Sequence, residues 1–167
     1  MGAKRYNDIT VLSFARLAQD IFIKYGGKSG EYADDLTKLS IMYMAINNIQ
    51  KNNKLKFYNK QAKSPQFIDN ALQITKELRW SNISPESLEQ RTPFLSDNIY
   101  EKVNDISIIY SAYNNLLDEN GYKDSLNDIT EAAKIAADNE YFKNTIVFID
   151  EFQSFSGDEL EMLDTII

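Results

Sequence analysis

A chain of 167 residues with 18 Lys/Arg against 25 Asp/Glu (net −7), 43% apolar residues, ten Tyr and nine Phe holds enough apolar material for one packed domain. It contains no Cys and no His, which excludes disulfides, thiolate metal sites, cysteine nucleophiles, histidine triads and most zinc sites. No apolar run has the length of a membrane span and no signal peptide opens the chain, so no membrane contact is expected and a cytoplasmic location is.

Residues 1–8, opening Met1-Gly2-Ala3, read as a tag or linker. Residues 9–12 predict a short strand, and Ser13 caps a helix over 14–24 whose apolar stripe is Phe14, Leu17, Ala18, Ile21 and Phe22. Gly26-Gly27 ends it. Leu36, Leu39, Ile41, Tyr43 and Ile46 support a second helix over 32–50. The polar, Asn/Lys-rich stretch 51–64 reads as an exposed connection with a helical turn near 55–58. Ser64-Pro65 opens a helix to Trp80, and Ser84-Pro85-Glu86 opens a short one through Leu88. The longest pattern, 96–119, steps through Ile99, Val103, Ile106, Tyr110, Tyr113 and Leu117 before Asn120-Gly121 stops it. Ser125 with Asp128 predicts a helix to about 139, residues 145–149 predict a buried strand, and Ser156 with Glu159 forms a capping box for a last helix. The class is therefore mainly α. Two short strands so far apart make no sheet of their own, so they are expected to join a parallel sheet of a larger parent, with the helices between them as an insertion.

Charge is divided along the chain. Residues 1–96 carry 14 Lys/Arg and 9 Asp/Glu, net +5, whereas residues 97–167 carry 4 and 16, net −12. Lys51, Lys54, Lys56, Lys60 and Lys63 interleave with Phe57, Tyr58 and Phe67, a pattern able to follow a phosphate backbone and stack bases. The plainer reading is a solvated Lys/Asn loop. Trp80, beside Arg79, reads either as a stacking platform or as a core tryptophan.

The strand 145–149 ends in Asp150-Glu151-Phe152-Gln153. Carboxylates at the C-terminal end of a buried strand suit nucleotide hydrolysis: Asp150 would hold magnesium, Glu151 would polarise the attacking water, and Gln153 would sense the γ-phosphate. The alternative is an acidic pair placed favourably at a helix entrance. Gly26-Gly27-Lys28-Ser29 contains Gly-Lys-Ser but lacks the first glycine of a phosphate loop and follows a helix rather than a strand. It reads as a helix-terminating turn, so the chain alone is expected to be enzymatically inactive.

Residues 9–18, Ile-Thr-Val-Leu-Ser-Phe-Ala-Arg-Leu-Ala, resemble the strand-to-helix segment of UvrD/PcrA/RecB-type superfamily-one helicases, and residues 147–153 are similar to their Walker B motif. Within that group the opening Val11-Leu12-Ser13-Phe14, the middle Ile83-Ser84-Pro85-Glu86-Ser87-Leu88 and the closing Ile149-Asp150-Glu151-Phe152-Gln153-Ser154-Phe155-Ser156 resemble the AddB/RexB subunit of the AddAB helicase–nuclease. The resemblance covers nearly all of the chain from residue 9. It implies a helical insertion subdomain over 9–144, followed at 145–167 by the Walker B-like strand and helix of a RecA-like α/β motor. It further implies a parent that uses ATP and magnesium, an AddA-like partner, and single- and double-stranded DNA as substrate in double-strand-break processing and Chi handling. An iron–sulphur cluster is implied in a nuclease domain outside this chain, and a phosphate loop upstream of it. Ser13, Phe14 and Arg16 fall where the family contacts or positions single-stranded DNA. One departure is that Asp150-Glu151 is intact where AddB-like proteins often have a degraded Walker B, which leaves open a UvrD/PcrA-like motor or an AddB that kept its carboxylates. An independent all-α interaction module is the non-enzymatic alternative. Apolar strand surface at 145–167 is expected to promote self-association.

Overall fold

The computed structural model describes residues 9–27, 29–91 and 96–166. It is mainly α-helical. In chain order the elements are α1 (Phe14–Tyr25), β1 (Glu31–Tyr32), α2 (Asp35–Lys51), α3 (Pro65–Trp80), α4 (Pro85–Arg91), α5 (Asp97–Glu119), β2 (Tyr122–Lys123), α6 (Asp128–Asp138) and α7 (Gly157–Asp164).

The helices begin where short polar side chains satisfy free N–H groups. Ser13 Oγ accepts from Arg16 N at 3.4 Å, Asp34 Oδ1 from Thr37 N at 2.8 Å, and Ser64 Oγ from Phe67 N at 3.2 Å just ahead of Pro65. At α7 the expected capping box forms between Ser156 and Glu159. Gly26 (φ 83°) and Gly121 (φ 72°) supply left-handed ends to α1 and α5.

Two apolar cores result. The first joins α2, α3 and α5 through Met42, Ile46, Ile68, Leu72, Ile109 and Tyr113, with Leu55 and Ala62 from the connection. The second joins α1, α6 and α7 through Phe14, Ile21, Ala132, Ala133, Ala136 and Met162. The small alanines of α6 let α1 and α7 each pack closely on it. At the other end, a Cβ on Gly157 would lie 2.8 Å from the Ser81 carbonyl, so α7 starts directly against the end of α3.

Strands and terminal segments differ from expectation. Residues 9–12 and 145–149 form no strand here; Val11 and Phe148 are 86% and 89% exposed. Extended chain becomes strand only against an edge, and no described edge lies beside either segment. The ladder that does form is parallel, pairing Glu31 with Tyr122 and Tyr32 with Lys123. It requires close backbone approach: Gly30 has φ 138°, and a Cβ there would lie 2.6 Å from the Gly121 carbonyl oxygen. The expected box at Ser125 also fails to form. Asp124 accepts from Leu126 N instead, a 3-10 turn covers Ser125–Asn127, and α6 starts at Asp128. The helical turn near 55–58 lies instead at Gln61–Lys63.

Asp124 takes that position because it closes a buried ionic cluster. Lys38 Nζ from α2 donates to Oδ1 at 2.8 Å and Arg79 Nη1 from α3 donates to Oδ2 at 3.0 Å. Arg79 also donates to Asn127 Oδ1 at 3.3 Å and to Asn114 of α5, and its Cζ lies 5.7 and 5.4 Å from the ring centroids of Tyr110 and Tyr113. Removing one member of such a cluster strands buried charge. Asp124→Asn should lower the unfolding free energy by about 3–5 kcal/mol in urea denaturation; a loss under about 1 kcal/mol would show that Lys38 and Arg79 find water instead.

Candidate functional site

The two segments that carry the helicase resemblance meet in space. Phe14, the first residue of α1, is buried with its ring centroid 5.4 Å from Phe152 and 6.1 Å from Phe155, both edge-on. Phe152 and Phe155 lie 5.1 Å apart. These aromatics seat the loop 150–155 on the start of α1. Asp150, Glu151 and Gln153 are exposed on that loop. Asp150 Oδ1 accepts from Glu151 N at 2.8 Å, and Glu151 sits at φ 64°, a conformation that a residue with a Cβ adopts at a cost of about 1 kcal/mol or more. The carboxylates are hard oxygen donors of the kind magnesium takes, usually one or two from protein with water and phosphate completing the shell. Among the described residues, no group of three or more Asp/Glu converges as a metal site.

Ser13 is exposed, with its Oγ accepting from Arg16 N as the α1 cap, whereas Phe14 is buried; Arg16 is exposed on α1. Lys28 lies outside the described residues.

Lys51, Lys54, Lys56, Lys60 and Lys63 all project into solvent around the connection between α2 and α3. The interleaved aromatics do not. Phe67 is buried in the first core, Tyr58 packs at 5.1 Å from it, and Phe57 lies 4.9 Å from Tyr58 with Lys102 Nζ over its ring at 4.6 Å. The stretch therefore offers a cationic surface on an aromatic base, and its rings are already engaged.

The connection is also not a loose loop. Asp105 of α5, 0% exposed, accepts the backbone N–H of Lys56 at 3.0 Å and those of Phe57 and Tyr58 at 2.9 Å each. Gln50 Nε2 donates to the Asn59 carbonyl at 3.1 Å. Sequence reasoning overlooked Asp105 and Lys102. The available signal was the spacing of Asp105, four residues before Ile109 and eight before Tyr113, which places a carboxylate on the buried stripe of α5. Trp80 is 63% exposed, so it is not a core residue.

Two small clefts adjoin the Arg79 cluster. One of about 150 Å³ runs past Asn114, Lys123 and Glu131; the other, about 330 Å³, past Ser84, Thr130 and Lys134. Arg79 forms part of both walls, with its guanidinium committed to Asp124, Asn114 and Asn127. Among the described residues, no helix is long and apolar enough to cross a membrane.

A family model described as "ADDB, N-terminal" matches residues 1–167. Three relatives are each named as the B subunit of an ATP-dependent helicase/deoxyribonuclease. The protein of Clostridium botulinum strain Hall is 33% identical over 94% of this chain, and that of Clostridium kluyveri is 31% identical over 100%. That of Clostridioides difficile strain 630 is 27% identical over 98%. The chain spans 14% of the length of each of these relatives.

Two tyrosine–carboxylate pairs tie β1 to α6 and the turn after α6 to α1. Tyr32 donates to Asp128 Oδ2 at 2.7 Å; that hydrogen bond, more than burial, pushes the Tyr32 phenol up to about 12. Tyr141 donates to Asp20 Oδ2 at 2.5 Å, and burial, then this bond, pushes it up to about 12. Burial raises Asp128 itself above the usual carboxylate range. An ordinary tyrosine in the unfolded chain ionises near 10, so both pairs stabilise the fold fully below pH 10 and lose that effect as pH rises toward 12. Urea midpoints should fall across that window, and the fall should be shallower in Tyr32→Phe/Tyr141→Phe. Equal slopes in the two proteins would mean the pairs do not persist in solution.

Proposed function

Because the chain belongs to the ADDB N-terminal family, we propose that it works as part of the B subunit of an ATP-dependent helicase–deoxyribonuclease. In this reading the whole subunit pairs with an AddA-like subunit in the cytoplasm and acts on single- and double-stranded DNA at double-strand breaks. This chain contributes to handling the single strand, Chi sequences included. The observation that carries the reading is the family match over all 167 residues, and the cationic connection between α2 and α3 supports it.

Lys51, Lys54, Lys56, Lys60 and Lys63 are the residues that meet the phosphate backbone, with Arg16 as an exposed cation on α1. Ser13 and Phe14 contribute by placing α1 and the loop 150–155. The chain as a whole is acidic, so nucleic acid is held by this local surface rather than by net charge. Asp150 would hold magnesium, Glu151 would orient a water and Gln153 would meet a phosphate of ATP. Magnesium, when bound, supplies neutralisation of phosphate charge. An iron–sulphur cluster finds no thiolate in this chain, which has no Cys; its ligands would have to be supplied elsewhere in the subunit.

Fluorescence anisotropy with a labelled single-stranded oligonucleotide tests the surface. Binding is expected to weaken as salt rises, and neutralising the five lysines to Gln should abolish it. Each lost phosphate contact should lower the log–log salt slope by about 0.7. An absence of binding at low salt would overturn the reading of this surface, while leaving family membership untouched.

A further inference from the structure

We propose that Asp105 is a positioning residue for nucleic-acid contact, holding the cationic connection in its binding shape from inside α5. The inference rests on the reading of that connection as a phosphate-facing surface, and it names a residue that need never touch the nucleic acid.

Asp105 is fully buried, yet both of its oxygens are used on a segment about fifty residues away: Oδ1 takes the N–H of Lys56, and Oδ2 takes those of Phe57 and Tyr58. Three successive N–H groups converging on one carboxylate fix the direction in which the intervening side chains leave the backbone. Leu55 is buried in the first core between exposed Lys54 and Lys56, so the chain is held on two sides there. Lys102, one turn before Asp105 on the same helix, lies over Phe57 and covers the same segment. A flexible lysine-rich loop would lose conformational freedom each time it met a phosphate backbone. Here much of that ordering is already in place before any ligand arrives.

Asparagine at this position retains one acceptor oxygen and turns an amide NH2 toward backbone donors, so at least one N–H is left unpaired. Glutamate keeps the charge but places the carboxylate one methylene too far. Both variants are therefore made and compared with the parent chain by anisotropy on a labelled single-stranded oligonucleotide. Circular dichroism and thermal melts identify any variant that fails to fold.

Charge and position predict opposite signs for Asp105→Asn. Removing a carboxylate from an acidic protein tightens binding to a polyanion by simple electrostatics. Loss of position weakens it, by about fivefold to tenfold, the scale of ordering several side chains on binding. The weakening should shrink in a Lys56→Gln/Lys60→Gln background, where there is less to position, whereas a general loss of stability would act equally in both.

Hydrogen exchange on the parent chain provides a reading that needs no variant. The amides of Lys56, Phe57 and Tyr58 should already exchange slowly in the free protein, and single-stranded DNA should slow them little further. Free exchange at those amides would overturn the proposal. So would unchanged or tighter binding by Asp105→Asn in a chain whose five-lysine variant loses binding. If the parent chain does not bind at all, the phosphate-facing reading fails and this inference fails with it, even where the amides are protected.

Discussion

Asp124 lies beneath two cations that reach it from different helices, and the placing of the helices follows from satisfying it. An isolated buried carboxylate costs several kcal/mol in lost hydration, and buried cations cost as much. The arrangement persists only because Lys38 of α2, Arg79 of α3 and the Leu126 amide all converge on its two oxygens. The excess positive charge is shared with the oxygens of Asn114 and Asn127 and the faces of Tyr110 and Tyr113. Since α5 leads into Asp124 and α6 leaves it, this one residue fixes where the second core begins relative to the first. The short parallel ladder beside it, made possible by Gly30 and Gly121, belongs to the same junction.

Most helices were legible because their boundaries are local chemistry. Ser64-Pro65 and Ser156 with Glu159 state helix starts in four residues or fewer, and apolar spacing of three and four does the rest. The strands were not legible, because their partners are set by tertiary contact. Residues 145–149 have strong strand preference yet no edge to pair with among the described residues, while the unremarkable Glu31-Tyr32 pairs because Gly30 can lie against Gly121. The lysines of the candidate surface could be read directly, but the inward turn of Phe57, Tyr58 and Phe67 could not. Asp105 and Asp124 escaped notice for a shared reason: a carboxylate in a helix or a turn looks solvated unless one knows which distant amides or cations it will meet.

The helicase-like motifs at the two ends of the chain are joined through aromatic packing rather than through a shared sheet. Phe14 belongs to the second core and to the seat of the loop 150–155 at once. A change in the packing of α1 is thereby a change in where Asp150 and Glu151 are held. The cationic connection sits instead on the first core, braced from α5. The two candidate surfaces are thus mounted on different cores, and the Asp124 junction is what gives them a common frame.

The chain contains one tryptophan, and Trp80 stands largely in solvent at the end of α3. Its indole is already hydrated in the native protein, so its emission has little room to shift when the cores come apart. An optical probe that is usually the first choice for following unfolding is therefore nearly silent here. The rings that do change surroundings are tyrosines, above all the buried Tyr113 and Tyr110 beside the Arg79 guanidinium. Near-ultraviolet signals from those two rings report on the junction itself, while Trp80 is left free to report on whatever comes to rest against the outer end of α3.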